Sequence, residues 1–256
     1  MDSLTYGQYS LVQNAFSFTI AVMFAATVYF FLGRSQVAPA YRNAITITGL
    51  VTLIAGYHYF RILNSWEGAF TVSNQAVTAS DSKFNDVYRY VDWLLTVPLL
   101  LIELILVMRL SPVETTSRAT RLGVLAALMI ILGYPGEISA VSGTRWLWWG
   151  LAMIPFLIIV FELFVGLKKS LDSQPEAVRG LINQARWLTI ISWCFYPIVF
   201  VFPMIGFTGG AATTAVQVGY TICDIVSKAV FGVLIYTIAS RKSAIETLPQ
   251  LSVQTG

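Results

Sequence analysis

Apolar residues run along this chain in stretches of about twenty, the length a helix needs to cross a bilayer. They predict seven spans, near Tyr9–Leu32, Ala40–Leu63, Asp86–Leu110, Thr120–Ala140, Trp146–Gly166, Ala185–Phe207 and Ala212–Ala239. Tight polar or glycine-rich pieces such as Gly206-Phe207-Thr208-Gly209-Gly210 join neighbours, which favours antiparallel packing. The second connection, Asn64 to Asn85, is longer and rich in Ser, Thr and Val, and leaves room for a small hairpin over the extracellular mouth. The pattern predicts an all-α membrane protein, a seven-transmembrane-helix bundle forming one domain over residues 1–256.

Composition agrees. Only 11% of the 256 residues are charged against 56% hydrophobic, about half the charge of an ordinary soluble domain. The first apolar run is too long for the core of a cleaved signal, so it reads as a retained span. Cys194 and Cys223 both fall in apolar helices, where inert buried thiols are expected rather than a disulfide framework or a metal site.

Basic residues set the topology. With the amino terminus outside, the cytoplasmic segments hold Arg34, Arg42, Arg109, Arg118, Arg121, Lys168, Lys169, Arg179, Arg186, Arg241 and Lys242. The outer loops then hold Lys83 and Arg145 alone. The positive-inside rule therefore predicts an extracellular amino terminus and a cytoplasmic carboxyl terminus. The net charge of +3 calls for no nucleic-acid partner.

Charges within spans are costly, and each is a functional candidate. They are Arg89, Asp92 and Glu103 on the third span, Asp224 and Lys228 on the seventh and His58 on the second, with Glu137 and Glu162 nearer span ends. Lys228 sits mid-span, and Asp224 lies one turn away on the same face. Two readings fit this pair. One is a structural ion pair joining helices; the other is a lysine whose amine forms a Schiff base with an aldehyde, the carboxylate serving as part of its counterion.

Asp92 and Glu103 are eleven residues apart, so they share a helix face with their backbones about 16 Å apart along the axis. That exceeds the reach of a hydrolytic carboxylate pair and suits two stations of a proton path on either side of a central group. Thr96, one turn from Asp92, is placed to hydrogen-bond it, and Pro98 is tolerated where neighbours satisfy the freed carbonyl. On the charge-derived topology Asp92 is extracellular and Glu103 cytoplasmic, so a proton handed from Glu103 to Asp92 moves outward.

RYVDWLLTVPLL on the third span, Trp193-Cys194-Phe195-Tyr196-Pro197 on the sixth and Asp224-Ile225-Val226-Ser227-Lys228 on the seventh resemble the microbial rhodopsins. The stretches Ala55–Ile62, Phe84–Glu103 and Gly133–Ser139 resemble the xanthorhodopsin group of proton pumps, and the likeness covers essentially the whole chain. The resemblance implies all-trans retinal on Lys228 as a protonated Schiff base. It makes Asp92 the primary counterion and proton acceptor, Asp224 a second counterion, Glu103 the cytoplasmic donor and Arg89 the balancing charge on the exit side. Trp93, Trp193, Tyr196 and Pro197 would wall the polyene, and Leu100 would favour green absorption.

His58 reads alone as a hydrogen-bonded helix contact; the resemblance pairs it with the counterion carboxylate. Glu137 reads as an interfacial carboxylate or as part of a release pathway, and Glu162 as structural. Gly150, after Trp146-Leu147-Trp148-Trp149, fits close packing beside an aromatic belt. The resemblance instead makes it a gap beside the retinal ring, through which a carotenoid such as a hydroxylated xanthophyll passes energy. It also implies a homo-oligomer, pentamer or trimer, among the lipids of a bacterial plasma membrane. A photosensor with the same chromophore and a transporter without one are the competing readings. The carboxylic donor Glu103 argues against the first, and the lack of inverted repeats or broken helices against the second.

Overall fold

A computed structural model describes residues 4–254, with side chains of the last helix described through Glu246. Helix α1 spans Tyr6–Gly33, α2 Arg42–Gly68, α3 Val87–Met108, α4 Pro112–Glu137 and α5 Ser142–Phe161. A π-helical turn, Glu162–Gly166, continues α5, and a short α6 covers Lys168–Asp172. Helix α7 spans Glu176–Val201. The last rod is unbroken: α8, Gly210–Asp224, passes through a π-helical turn at Ile225–Val230 into α9, Phe231–Gln254. Six of these stretches are long and apolar enough to cross a membrane. The seventh rod, α2, is the more polar one, bearing Tyr57, His58, Tyr59 and Arg61, and it packs between α1 and α3.

Local chemistry explains the ends. Thr5 and Gln8 form a capping box at α1, each side chain bonding the other's backbone N–H at 3.2 and 2.9 Å. Ser111 caps α4, with Pro112 at the first position, where its missing N–H is not needed. Gly206 (φ 86°) and Gly209 (φ 96°) take the left-handed backbone that turns the chain between α7 and α8. The second connection does fold into a hairpin: β1, Phe70–Ser73, pairs antiparallel with β2, Ala76–Ala79, and Phe70 faces Ala79. Asn74 and Gln75, both at positive φ, make its two-residue turn.

Several predicted boundaries move. Helix α7 begins at Glu176 rather than Ala185 and α4 at Pro112 rather than Thr120, because the hydrophobic window sees only the lipid-crossing part of a helix. The α3 helix stops at Met108, where Arg109 turns left-handed (φ 51°). Neighbours pack around a ring: α1 to α5 in order, then α5 on α7, α7 on α8 and α9, and α8 back on α1. Apolar side chains such as Phe18, Leu32, Leu157 and Ile191 face outward, while Thr27 and Thr52 hydrogen-bond at 2.8 Å inside. That inversion suits lipid as the outer solvent.

Candidate functional site

Helix α3 presents Arg89, Asp92, Thr96 and Glu103 to the interior, all buried, as their helical spacing predicts. Across from them the π-helical turn widens the backbone around Lys228, a distortion frequent at functional positions. The Lys228 Nζ lies 2.8 Å from Asp92 Oδ2 and 2.8 Å from Asp224 Oδ1. One ammonium thus sits between two carboxylates, and all three side chains are closed off from solvent.

The two carboxylates are not equivalent. Asp224 accepts further bonds from the Tyr59 hydroxyl at 2.7 Å, the Tyr196 hydroxyl at 2.6 Å and the Trp93 indole at 3.4 Å. Asp92 accepts from Lys228, and its Oδ1 has no hydrogen-bond partner. Donors stabilise the charged form, so Asp224 is built to stay ionised and Asp92 keeps an oxygen open to a proton. Glu103 is fully buried with both oxygens unpartnered, beside Thr48, which spends its hydroxyl on the Ala44 carbonyl. A dry carboxyl without donors tolerates the protonated state and resists the charged one.

Three expected contacts differ. The Thr96 hydroxyl bonds the main-chain carbonyl of Asp92 at 2.8 Å, one turn back, rather than its carboxylate, as threonine hydroxyls within helices commonly do. The His58 Nδ1–H donates to the Ile54 carbonyl at 2.9 Å, and no hydrogen bond joins His58 to Asp92 among the described residues. Arg89 turns away from the carboxylate pair. Its Nε lies 2.5 Å from Asp86 Oδ1, and its other nitrogens reach the Tyr59 hydroxyl at 3.2 Å and the Gln217 side-chain oxygen. Asp86, Tyr59 and Gln217 are site residues that the sequence reading passed over. Asp86, a charge at the start of the predicted third span, and Gln217, a polar residue within an apolar run, carried the available signals.

A cavity lined almost wholly by apolar side chains opens beside Lys228, as small-molecule sites commonly are. Trp93, Leu100, Trp193, Tyr196 and Pro197 all line it, and Lys228 and Asp224 stand on its wall. Apolar walls with one amine fit a long hydrocarbon aldehyde, held covalently at one point and by packing elsewhere. Gly150 is not on this wall. Trp149 is, with its indole N–H bonded to the Pro197 carbonyl at 3.0 Å, while a Cβ at Gly150 would meet nothing within 4 Å. The space beside Gly150 is open, as a gap in the α5 surface requires. Glu137 pairs with Arg145 at 3.5 Å; Glu162, near the opposite end of the bundle, pairs with Arg118 at 3.4 Å and Arg121 at 2.9 Å.

Known proteins share this fold. The solved structure of xanthorhodopsin, described as a light-driven ion pump with dual chromophore, superposes with a TM-score of 0.93 at 51% identity, covering 96% of this chain and 99% of that one. Thermophilic rhodopsin superposes equally well, at 0.93, with 42% identity and the same coverage. Green-light absorbing proteorhodopsin from Gamma-proteobacterium EBAC31A08 is 29% identical over 231 residues, 90% of this chain and 87% of its own length. The family model described as bacteriorhodopsin-like protein matches residues 10–241. This multi-pass membrane protein therefore belongs to the bacteriorhodopsin-like family.

Proposed function

We propose that the chain is a light-driven pump that carries retinal on Lys228 and moves protons out of the cell. One observation carries the reading: the Lys228 amine lies 2.8 Å from each of two buried carboxylates on the wall of an apolar cavity, with a third carboxyl, Glu103, further along the α3 face. Lys228 would hold retinal as a protonated Schiff base, and the bound group would supply light absorption and isomerisation.

The chain's own residues give the motion its direction. Asp92, with Oδ1 open, takes a proton; Asp224, held by two tyrosines and an indole, keeps its charge and anchors the cation. Glu103 keeps its proton in a dry pocket until a basic nitrogen needs it. Trp93, Trp193 and Pro197 pack the cavity so that motion within it is channelled rather than dissipated. The topology read from the basic residues puts Asp92 outside Glu103, so net transfer is outward.

The test is the pH of an unbuffered suspension of retinal-supplied cells expressing the chain. Light should acidify the medium, a protonophore should abolish the signal, and Asp92→Asn should remove it while leaving a coloured protein. A pigment that leaves the pH unchanged in light overturns the pump and favours a sensor. A carotenoid antenna enters this proposal on the xanthorhodopsin likeness and on the open space beside Gly150, where a Cβ would meet nothing within 4 Å. With a hydroxylated carotenoid added, the excitation spectrum of the parent should show carotenoid-to-retinal transfer that Gly150→Trp loses. Equal signals would remove Gly150 from the account.

A further inference from the structure

Arg89 is buried, and its guanidinium is tied on the side away from the lysine. Its Nε lies 2.5 Å from Asp86 Oδ1, Nη1 donates to the Tyr59 hydroxyl at 3.2 Å, and Nη2 donates to the Gln217 oxygen. Gln217 Nε2 in turn donates to Asp86 Oδ2 at 3.3 Å. Both oxygens of Asp86 are therefore spent in a closed ring with Arg89 and Gln217. Asp86 stands at the N-cap of α3 yet makes no capping bond with its side chain, so the usual structural role of an aspartate there is not the one it fills.

A buried guanidinium follows negative charge, because an unpaired one is costly. Two carboxylates compete with Asp86 for Arg89. Asp92 offers an oxygen with no partner, and Asp224 is already linked to Arg89 through Tyr59, whose hydroxyl donates to it at 2.7 Å. The other groups facing this cluster are Tyr220 and Phe16, whose rings the guanidinium overlies at 5.0 and 5.4 Å, together with Tyr90, Glu137 and Arg145. Asp86 is the carboxylate that bonds Arg89 directly, and it is 28% exposed, on the solvent side of the arginine.

We infer that Asp86 is a positioning residue that holds the Arg89 cation off the Asp92–Lys228–Asp224 cluster, leaving Asp92 free to act as proton acceptor. The inference rests on the retinal-pump reading. Without Asp86, Arg89 turns toward Asp92 and fills the open oxygen. The acceptor then holds protons less well.

The experiment is a dark absorbance titration of the full-length chain regenerated with retinal, following the acid colour change as the counterion is neutralised. The lost charge of Asp86, roughly 9 Å away along the helix, itself moves the midpoint toward acid by about one pH unit at the effective dielectric of a buried site, and does so with or without Arg89. Arg89 released to within hydrogen-bonding reach moves it further. We expect Asp86→Asn to move the midpoint to the acid side by about one pH unit more in the parent background than in an Arg89→Gln background, and Asp86→Glu to stay near the parent. An equal displacement in both backgrounds, or a larger one in Arg89→Gln, overturns the inference. Should Arg89→Gln form no pigment, Asp86→Asn decides alone, and a displacement below about two units overturns the inference. A parent chain that forms no pigment with retinal overturns the underlying reading instead.

Discussion

The carboxyl end of α3 is closed by a residue far away in sequence, and removing it should be costly. The Lys242 ammonium, buried on α9, donates to the Val107 carbonyl at 3.1 Å, the Met108 carbonyl at 2.8 Å and the Gln174 side chain at 2.8 Å. The two backbone carbonyls end α3 and have no partner within their own helix, and a cation there also complements the helix dipole. In Lys242→Met the side chain keeps its approximate volume while three buried acceptors lose their donor. Hydrogen bonds to a charged group are worth about 1.5–3 kcal/mol each, and the desolvation of the ammonium is recovered, so a net loss of about 3 kcal/mol is expected. At tenfold per 1.4 kcal/mol, and with the cap broken before the unfolding barrier, colour loss on heating should run roughly a hundredfold faster. Because detergent-solubilised proteins of this kind unfold irreversibly, the rate of bleaching at fixed temperature is the proper measure. The starting spectrum should be unchanged, since Lys242 is not on the cavity wall. Bleaching within a factor of three of the parent would refute the capping argument.

Two further outcomes follow from the site. Tyr196→Phe removes a 2.6 Å donor from Asp224, which must then hold its charge with less help, so the acid colour transition should move to higher pH by about one unit. A move to lower pH would show that the tyrosine does not stabilise the ionised cluster. Glu103→Gln cannot deliver a proton, so photocycle recovery should slow about a hundredfold, the expected gain from a positioned proton donor. A permeant weak acid should restore the rate. Unchanged recovery would place the donor elsewhere.

Much of this protein is legible in one dimension. Lipid imposes a uniform demand, that each crossing segment be apolar and bond its own backbone, so the run lengths alone report seven rods. Helical periodicity likewise put Asp224 beside Lys228 and aligned Asp92 with Glu103, because residues on one helix keep fixed relations whatever surrounds them. The length of the second connection left room for the hairpin that forms there, without requiring it.

What failed were contacts between helices and choices among equivalent partners. Spacing shows that Arg89 faces inward but not that it turns to Asp86 and to Gln217, 128 residues away, rather than to Asp92. Thr96 had two oxygens of Asp92 within reach of its helix face, and the backbone one won because it is held one turn back by the helix itself. His58 similarly satisfies itself on Ile54 within its own helix. Helical period along the chain settles which side chains share a buried face of each rod. Only the packed bundle decided the rotation of each rod and the partner each buried polar group took, since those depend on neighbours distant in the chain.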